Sequence, residues 1–190
     1  MRRIVTKFAP TEPLAVLVRT IAVAAYAFVD EWLVPAPAAA VYALLSCPRE
    51  YPRWWGDAFL EGEGDPGPAA TGKRACLVTR GRLPYRLRWD LICVEADAPR
   101  RLVSRIDGDF EGEGIWTLEP ADGGTRVVLE WRVDVRKPLV RHLTPLLRPL
   151  FAWNHRWAMR RGQASIVAEL AAVSLADRGQ AGAETIAPVR

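Results

Sequence analysis

Residues 126–136 alternate: Val127, Leu129, Trp131, Val133 and Val135 fall on one side, and Glu130, Arg132, Asp134 and Arg136 on the other. Successive side chains of a strand point to opposite faces, so this run is a strand with one apolar and one wet face. An antiparallel sheet accepts that pattern, whereas a parallel sheet buried on both sides does not. The apolar face must then be covered by something else in the chain.

Four further runs carry the same period: 73–80, 85–95, 101–106 and 112–119. In 85–95, Leu87, Trp89, Leu91 and Cys93 share a face opposite Arg86, Arg88 and Asp90. Residues 25–34 are rich in β-formers and are stopped by Pro35 and Pro37; residues 57–64 make a further short strand. The Gly/Pro cluster 64–72 is a loop, and Asp122-Gly123-Gly124 is a turn. Two short helices are expected, at 38–46 and, with Tyr51 and Trp55 at i, i+4, at 49–56. Pro138, Pro145 and Pro149 allow only a short broken piece before residue 150. From Phe151 on, His155, Met159, Gly162, Ile166, Leu170 and Val173 continue one stripe of a long amphipathic helix.

Only that helix is long enough to cover the sheet. The expectation is an α+β chain: a curved antiparallel sheet of about seven strands wrapped around a long C-terminal helix, with two short helices after strand one. A composition of 50% hydrophobic and 25% charged residues fits one globular domain and excludes collagen-like, disordered and disulfide-scaffold chains. The domain is placed at 25–173, with an N-terminal extension at 1–24 and a disordered tail at 174–190. Within the extension, Leu14–Ala25 is apolar, but Arg19 interrupts it and it is shorter than the roughly 20 residues of a membrane span. Arg2, Arg3, Lys7 and Ala22-Val23-Ala24 leave a secretory signal as an alternative.

The chemistry is narrowed by what is scarce. The three cysteines, Cys47, Cys76 and Cys93, show no paired metal-ligand spacing, and with only His142 and His155 a three-His site is impossible. No metal and no cofactor are expected, and the cysteines read as small hydrophobes in a reducing, cytoplasmic setting. A net charge of +4 is too mild to imply nucleic acid. Gly67–Lys73 imitates a phosphate loop, but Arg74 stands where Ser or Thr is required and a strand follows. Asp107, Asp109, Glu111 and Gly112 imitate the start of a calcium loop, but Leu118 occupies its twelfth position.

Val34-Pro35-Ala36-Pro37 through Val41-Tyr42, Tyr51-Pro52-Arg53-Trp54-Trp55, Gly112–Leu118, Gly124-Thr125-Arg126 and Asn154–Arg161 together resemble the helix-grip superfamily often called SRPBCC. It includes START lipid-transfer domains, pollen-allergen-like proteins and aromatic polyketide cyclases. The resemblance covers about residues 25–172 and implies a deep apolar cavity between sheet and long helix, in which relatives hold lipids, sterols, hormones or polyketide intermediates. It carries over no catalytic residue, because no catalytic motif of the cyclase branch is present here.

Eight tryptophans are the most unusual compositional fact. Trp54, Trp55, Trp89, Trp116 and Trp131 are candidates for an aromatic cavity wall, with core filling as the plain alternative. Phe151, His155 and Met159 on the helix stripe complete the candidate binding set. His155 is also a candidate acid, base or ligand anchor, against an ordinary structural imidazole. Asn154 is read as pointing to a flank of the helix, with a ligand contact as the alternative. Asp30 is the second catalytic candidate. If Phe28, Asp30 and Trp32 face inward it can pair with an Arg or His155; if Val29, Glu31 and Leu33 do, it cannot. Arg88 and Asp90 alternate with apolar residues and read as an outer-face pair. Trp153 and Trp157, with Arg160, fall opposite the His155 stripe and could mark a weak membrane-surface or partner contact.

The leading reading is a monomer or dimer that binds a hydrophobic small molecule, aromatic, polyketide-like or lipid. The first alternative is a cyclase, aromatase or dehydratase using the same cavity. The second is a membrane-surface or partner-binding module.

Overall fold

The computed structural model describes the backbone of residues 26–82, 85–135 and 144–184, with side chains described over 26–82, 85–134 and 149–176. Strand β1 (Tyr26–Val34) leads into α1 (Ala38–Leu45), a single 3-10 turn (Pro48–Glu50) and the four-residue α2 (Tyr51–Trp54). Strands β2 (Phe59–Gly64), β3 (Arg74–Arg80), β4 (Arg86–Asp97), β5 (Arg101–Gly108), β6 (Phe110–Ala121) and β7 (Gly124–Val135) follow, and α3 (Thr144–Glu184) closes the chain. The expected order of elements is the observed one.

The seven strands form one antiparallel sheet in the order β1-β7-β6-β5-β4-β3-β2. Each neighbour from β2 to β7 is joined by a hairpin, and β1 returns to the far edge beside β7. Register slips between Phe59 and Glu61 and between Cys93 and Glu95. Such bulges increase local twist and bend a sheet toward closure. The concave face carries the alternating residues: on β7, Val127, Leu129 and Val133 are buried, and on β4, Leu87, Trp89 and Cys93. The convex face is rich in charged residues, with Val29 and Leu33 exposed among them. There Arg126 meets Glu31 through two 2.8 Å hydrogen bonds and so fastens edge strand β1 to β7.

The corner after β1 is pinned by Thr125, whose hydroxyl donates to the Ala36 carbonyl at 2.6 Å and is fully buried. Tyr51 ties the short helices together, its hydroxyl donating to the Leu45 carbonyl at 2.6 Å.

Helix α3 differs from expectation at both ends. It starts at Thr144 rather than near Phe151. Pro145 lies in the first turn, where backbone N–H groups have no acceptor anyway, and Pro149 forgoes one helical bond in the second turn. The helix also continues to Glu184, past the boundary expected at Val173, with residues 171–176 exposed. The extension 1–24, the apolar run 14–25 and His142 lie outside the described residues.

Trp55 docks α3. Its indole Nε1 donates to the Ala158 carbonyl at 3.1 Å, and its ring lies against Gly162 so closely that a Cβ there would sit 2.3 Å from Cζ2. Ile166, one turn on, is fully buried, and an ion pair between Arg53 and Glu169 extends the contact toward α2. Among the described residues no helix is long and apolar enough to cross a membrane.

Candidate functional site

Between the concave sheet face and α3 lies a cavity of about 130 Å³. That is near the size of an apolar cavity that accepts one benzene ring. It is smaller than the deep, polycycle-sized space the resemblance implies. Side chains from the sheet, the α2 region and α3 line it, so it forms only once the sheet has bent around the helix.

The wall is mainly aromatic. Trp89 on β4 and Trp131 on β7 meet edge to face at 5.5 Å, and Phe110 completes a triangle with both at 6.2 Å. These edge-to-face geometries match the quadrupoles of the rings. Trp131 reaches its place because Gly114 stands opposite it in register, where a Cβ would come within 3.1 Å of the ring. The Gly-rich β6 strand therefore leaves space that an indole occupies. Trp116 lies 5.2 Å from Trp32 and Trp55 lies 4.8 Å from Phe59, forming the opposite wall.

Of the residues named from sequence, Trp55, Trp89, Trp116, Trp131, Phe151, His155 and Met159 all line the cavity. Trp54 does not. It is buried behind Trp55, stacked on it at 5.4 Å and edge-on to Tyr51 at 5.3 Å. Its indole fills core rather than cavity.

On β1 the inward set is Tyr26, Phe28, Asp30 and Trp32, while Val29 and Leu33 are exposed and Glu31 pairs with Arg126. Asp30 Oδ2 lies 2.6 Å from His155 Nε2, and the imidazole stacks on Phe28 at 4.2 Å. A carboxylate only accepts, so Nε2 donates, and the neutral ring keeps its basic lone pair on Nδ1. His155 lines the cavity; Asp30 does not, and orients it from the strand.

Tyr26, Tyr85 and Arg80, unnamed in the sequence reading of the site, also reach the wall, and so does Asn154, read there as a flank residue. Asn154 Oδ1 accepts from the backbone N–H of Arg82 at 2.8 Å and packs on Gly81, which ties α3 to the β3–β4 turn. Tyr26 and Tyr85 both contact the Phe151 ring, at 5.2 and 6.2 Å. Among the described residues, neither phenol oxygen has a hydrogen-bond partner. Burial pushes the Tyr85 phenol up to about 12, so it stays protonated and able to donate. The parity of β1 could have found Tyr26, since it shares a face with Phe28 and Trp32.

Arg88 and Asp90 are exposed on the convex face, flanking Cys76, whose thiol burial pushes up. Trp153 is exposed with Arg82 4.8 Å over its ring, but Trp157 packs against the core instead of facing out. Its indole is broad enough to lie along the helix flank, so the expected pair of outward tryptophans is one. Among the described residues no group of His, Cys, Asp and Glu could hold a metal ion. Lys73, in the phosphate-loop look-alike, is spent on the carbonyls of Pro66 and Pro68 at 2.7 and 3.0 Å.

The family described as "Polyketide cyclase / dehydrase and lipid transport" matches residues 27–173. Solved structures share the fold. TTHA0849 from Thermus thermophilus is 24% identical with a TM-score of 0.60, covering 76% of this chain and 99% of that one. Ms6760 from Mycobacterium smegmatis is 17% identical with a TM-score of 0.55, covering 77% and 90%. CV1439 from Chromobacterium violaceum is 14% identical with a TM-score of 0.54, covering 75% and 96%. A search of curated proteins found no match.

Proposed function

Because the chain belongs to the polyketide cyclase / dehydrase and lipid transport family, we propose that it binds a hydrophobic small molecule in the cavity between sheet and helix. The observation that carries this is the space left open among Trp89, Trp131 and Phe151 although every surrounding ring is otherwise packed. Fully burying a phenyl-sized group stabilises by roughly 1.5–3 kcal/mol before association costs. The size favours a guest, or part of one, no larger than a single ring. Tryptophan fluorescence and calorimetry with a panel of single-ring, polyketide-like, sterol and fatty-acyl compounds test it. Saturable quenching by ring-sized compounds supports the reading; no response to any of them refutes it.

The Asp30–His155 pair favours a second reading, an enzyme of cyclase or dehydratase type using the same cavity. Here Asp30 holds Nε2 and Nδ1 takes a proton from the bound molecule. His155→Ala separates the two: an enzyme loses turnover of a candidate substrate, whereas a carrier keeps its affinity for an uncharged ring within about threefold, which is under 1 kcal/mol.

A further inference from the structure

The polar groups of the cavity are not evenly divided between donors and acceptors. Most of their acceptors are already engaged within the protein. Thr79 Oγ1 accepts from Trp89 Nε1 at 3.0 Å, and Asn154 Oδ1 accepts from Arg82 N at 2.8 Å. The donors are less engaged. Tyr26 is 4% exposed and lines the cavity, as does Tyr85, and among the described residues neither hydroxyl has a hydrogen-bond partner. Asn154 keeps its amide N–H₂ group free of the Arg82 contact. Arg80, also on the wall, is held through Nε by the Asp57 carbonyl at 3.0 Å. That hydrogen bond leaves the terminal guanidinium nitrogens available.

These groups cluster at one end. Tyr26 and Tyr85 both touch Phe151, Asn154 is three residues further along α3, and Arg80 precedes the Gly81–Arg82 turn that Asn154 grips. Among the described residues no carboxylate lines the cavity: Asp30 stands behind His155, and the Asp57 carboxylate faces Arg161 at 3.5 Å. An end that offers donors and one cation, with no carboxylate among the described residues of its wall, selects an acceptor-rich, negatively charged group.

We infer that the cavity takes an aromatic carboxylate, its ring in the space among Trp89, Trp131 and Phe151 and its anionic head at the Arg80–Asn154–Tyr85 end. This rests on reading the cavity as a binding site, and it adds the charge and orientation of the guest. Burial keeps the Tyr85 phenol protonated, consistent with a donor role.

Calorimetry on the full chain with phenylacetate, phenylacetamide, phenethylamine and toluene decides it. Expected is phenylacetate binding about tenfold or more tighter than phenylacetamide, with phenethylamine weakest. Arg80 is exposed, so Arg80→Gln should fold normally, with circular dichroism as the check, and should bring acid and amide within about threefold. Equal or tighter binding of the amide or the amine, or a preference unchanged in Arg80→Gln, overturns the inference. If toluene binds while the acid does not, the charge assignment fails and the apolar cavity stands. If none of the four binds, both fail.

Discussion

His155 Nε2 lies 2.6 Å from Asp30 Oδ2, joining residues 125 positions apart and tying α3 to strand β1 at the cavity wall. Both side chains are largely shielded, at 12% and 17% exposure. Removing one partner strands the other in a place water reaches poorly. Asp30→Ala is expected to lower stability by about 2 kcal/mol, and Asp30→Asn, which can still accept from Nε2, by about 1 kcal/mol or less. Urea denaturation measures both; equal losses would show that the hydrogen bond does not hold the helix.

Gly162 is where α3 comes closest to the layer beneath it. A Cβ there would meet Cζ2 of Trp55 at 2.3 Å. That ring cannot move aside easily, because it is 1% exposed and hydrogen-bonded to Ala158. Gly162→Ala should cost about 1–3 kcal/mol, although alanine raises helix propensity. A neutral or stabilising result in the same urea assay would mean that α3 does not dock through Trp55.

Gly114 sets the position of Trp131 more gently, with a Cβ predicted at 3.1 Å from the indole. Gly114→Ala should tip that ring toward the hollow. Affinity for a single-ring compound should fall about fivefold, or about 1 kcal/mol, with a stability loss of similar size. Calorimetry of the variant reads the change, and unaltered affinity would place the guest elsewhere.

Alkaline pH should unfold the protein ahead of a chain without buried phenols. Desolvation raises the Tyr85 phenol from its ordinary value of 10.0 to about 12, and burial also raises those of Tyr51 and Tyr42. Between these values the unfolded state gives up protons that the folded state retains, so stability present below pH 10 falls as pH rises toward 12. Tyr85→Phe should flatten that fall, and because its hydroxyl is unpartnered among the described residues, the variant should be neutral or more stable at pH 7. Denaturation at stepped pH reads both effects; a variant less stable at pH 7 would reveal a hydrogen bond at that hydroxyl.

The sheet was legible because alternation is a local signal: the Val127–Val133 face follows from spacing alone. The gripping helix was legible from its His155–Leu170 stripe, but its start was not, since Pro145 and Pro149 look like helix breakers in sequence and yet stand in the opening turns, where proline costs little. Asp30 illustrates another limit. Its neighbours allowed either parity, and only pairing of β1 with β7 put Phe28 and Trp32 inside. Trp54 and Trp55 are adjacent and chemically alike, yet one walls the cavity and one fills core behind it, because the helix ends at Trp54 and Trp55 leaves helical geometry to reach α3. Tyr85 gave no signal, since its position depends on Phe151, which is distant in sequence.

Everything proposed for the site depends on the hollow being empty and able to admit a guest. Xenon-pressurised crystals test this most directly, because xenon enters dry apolar cavities of this size. The account predicts a single strong xenon peak among Trp89, Trp131 and Phe151. No peak there, with the indoles closed across the space, would contradict it.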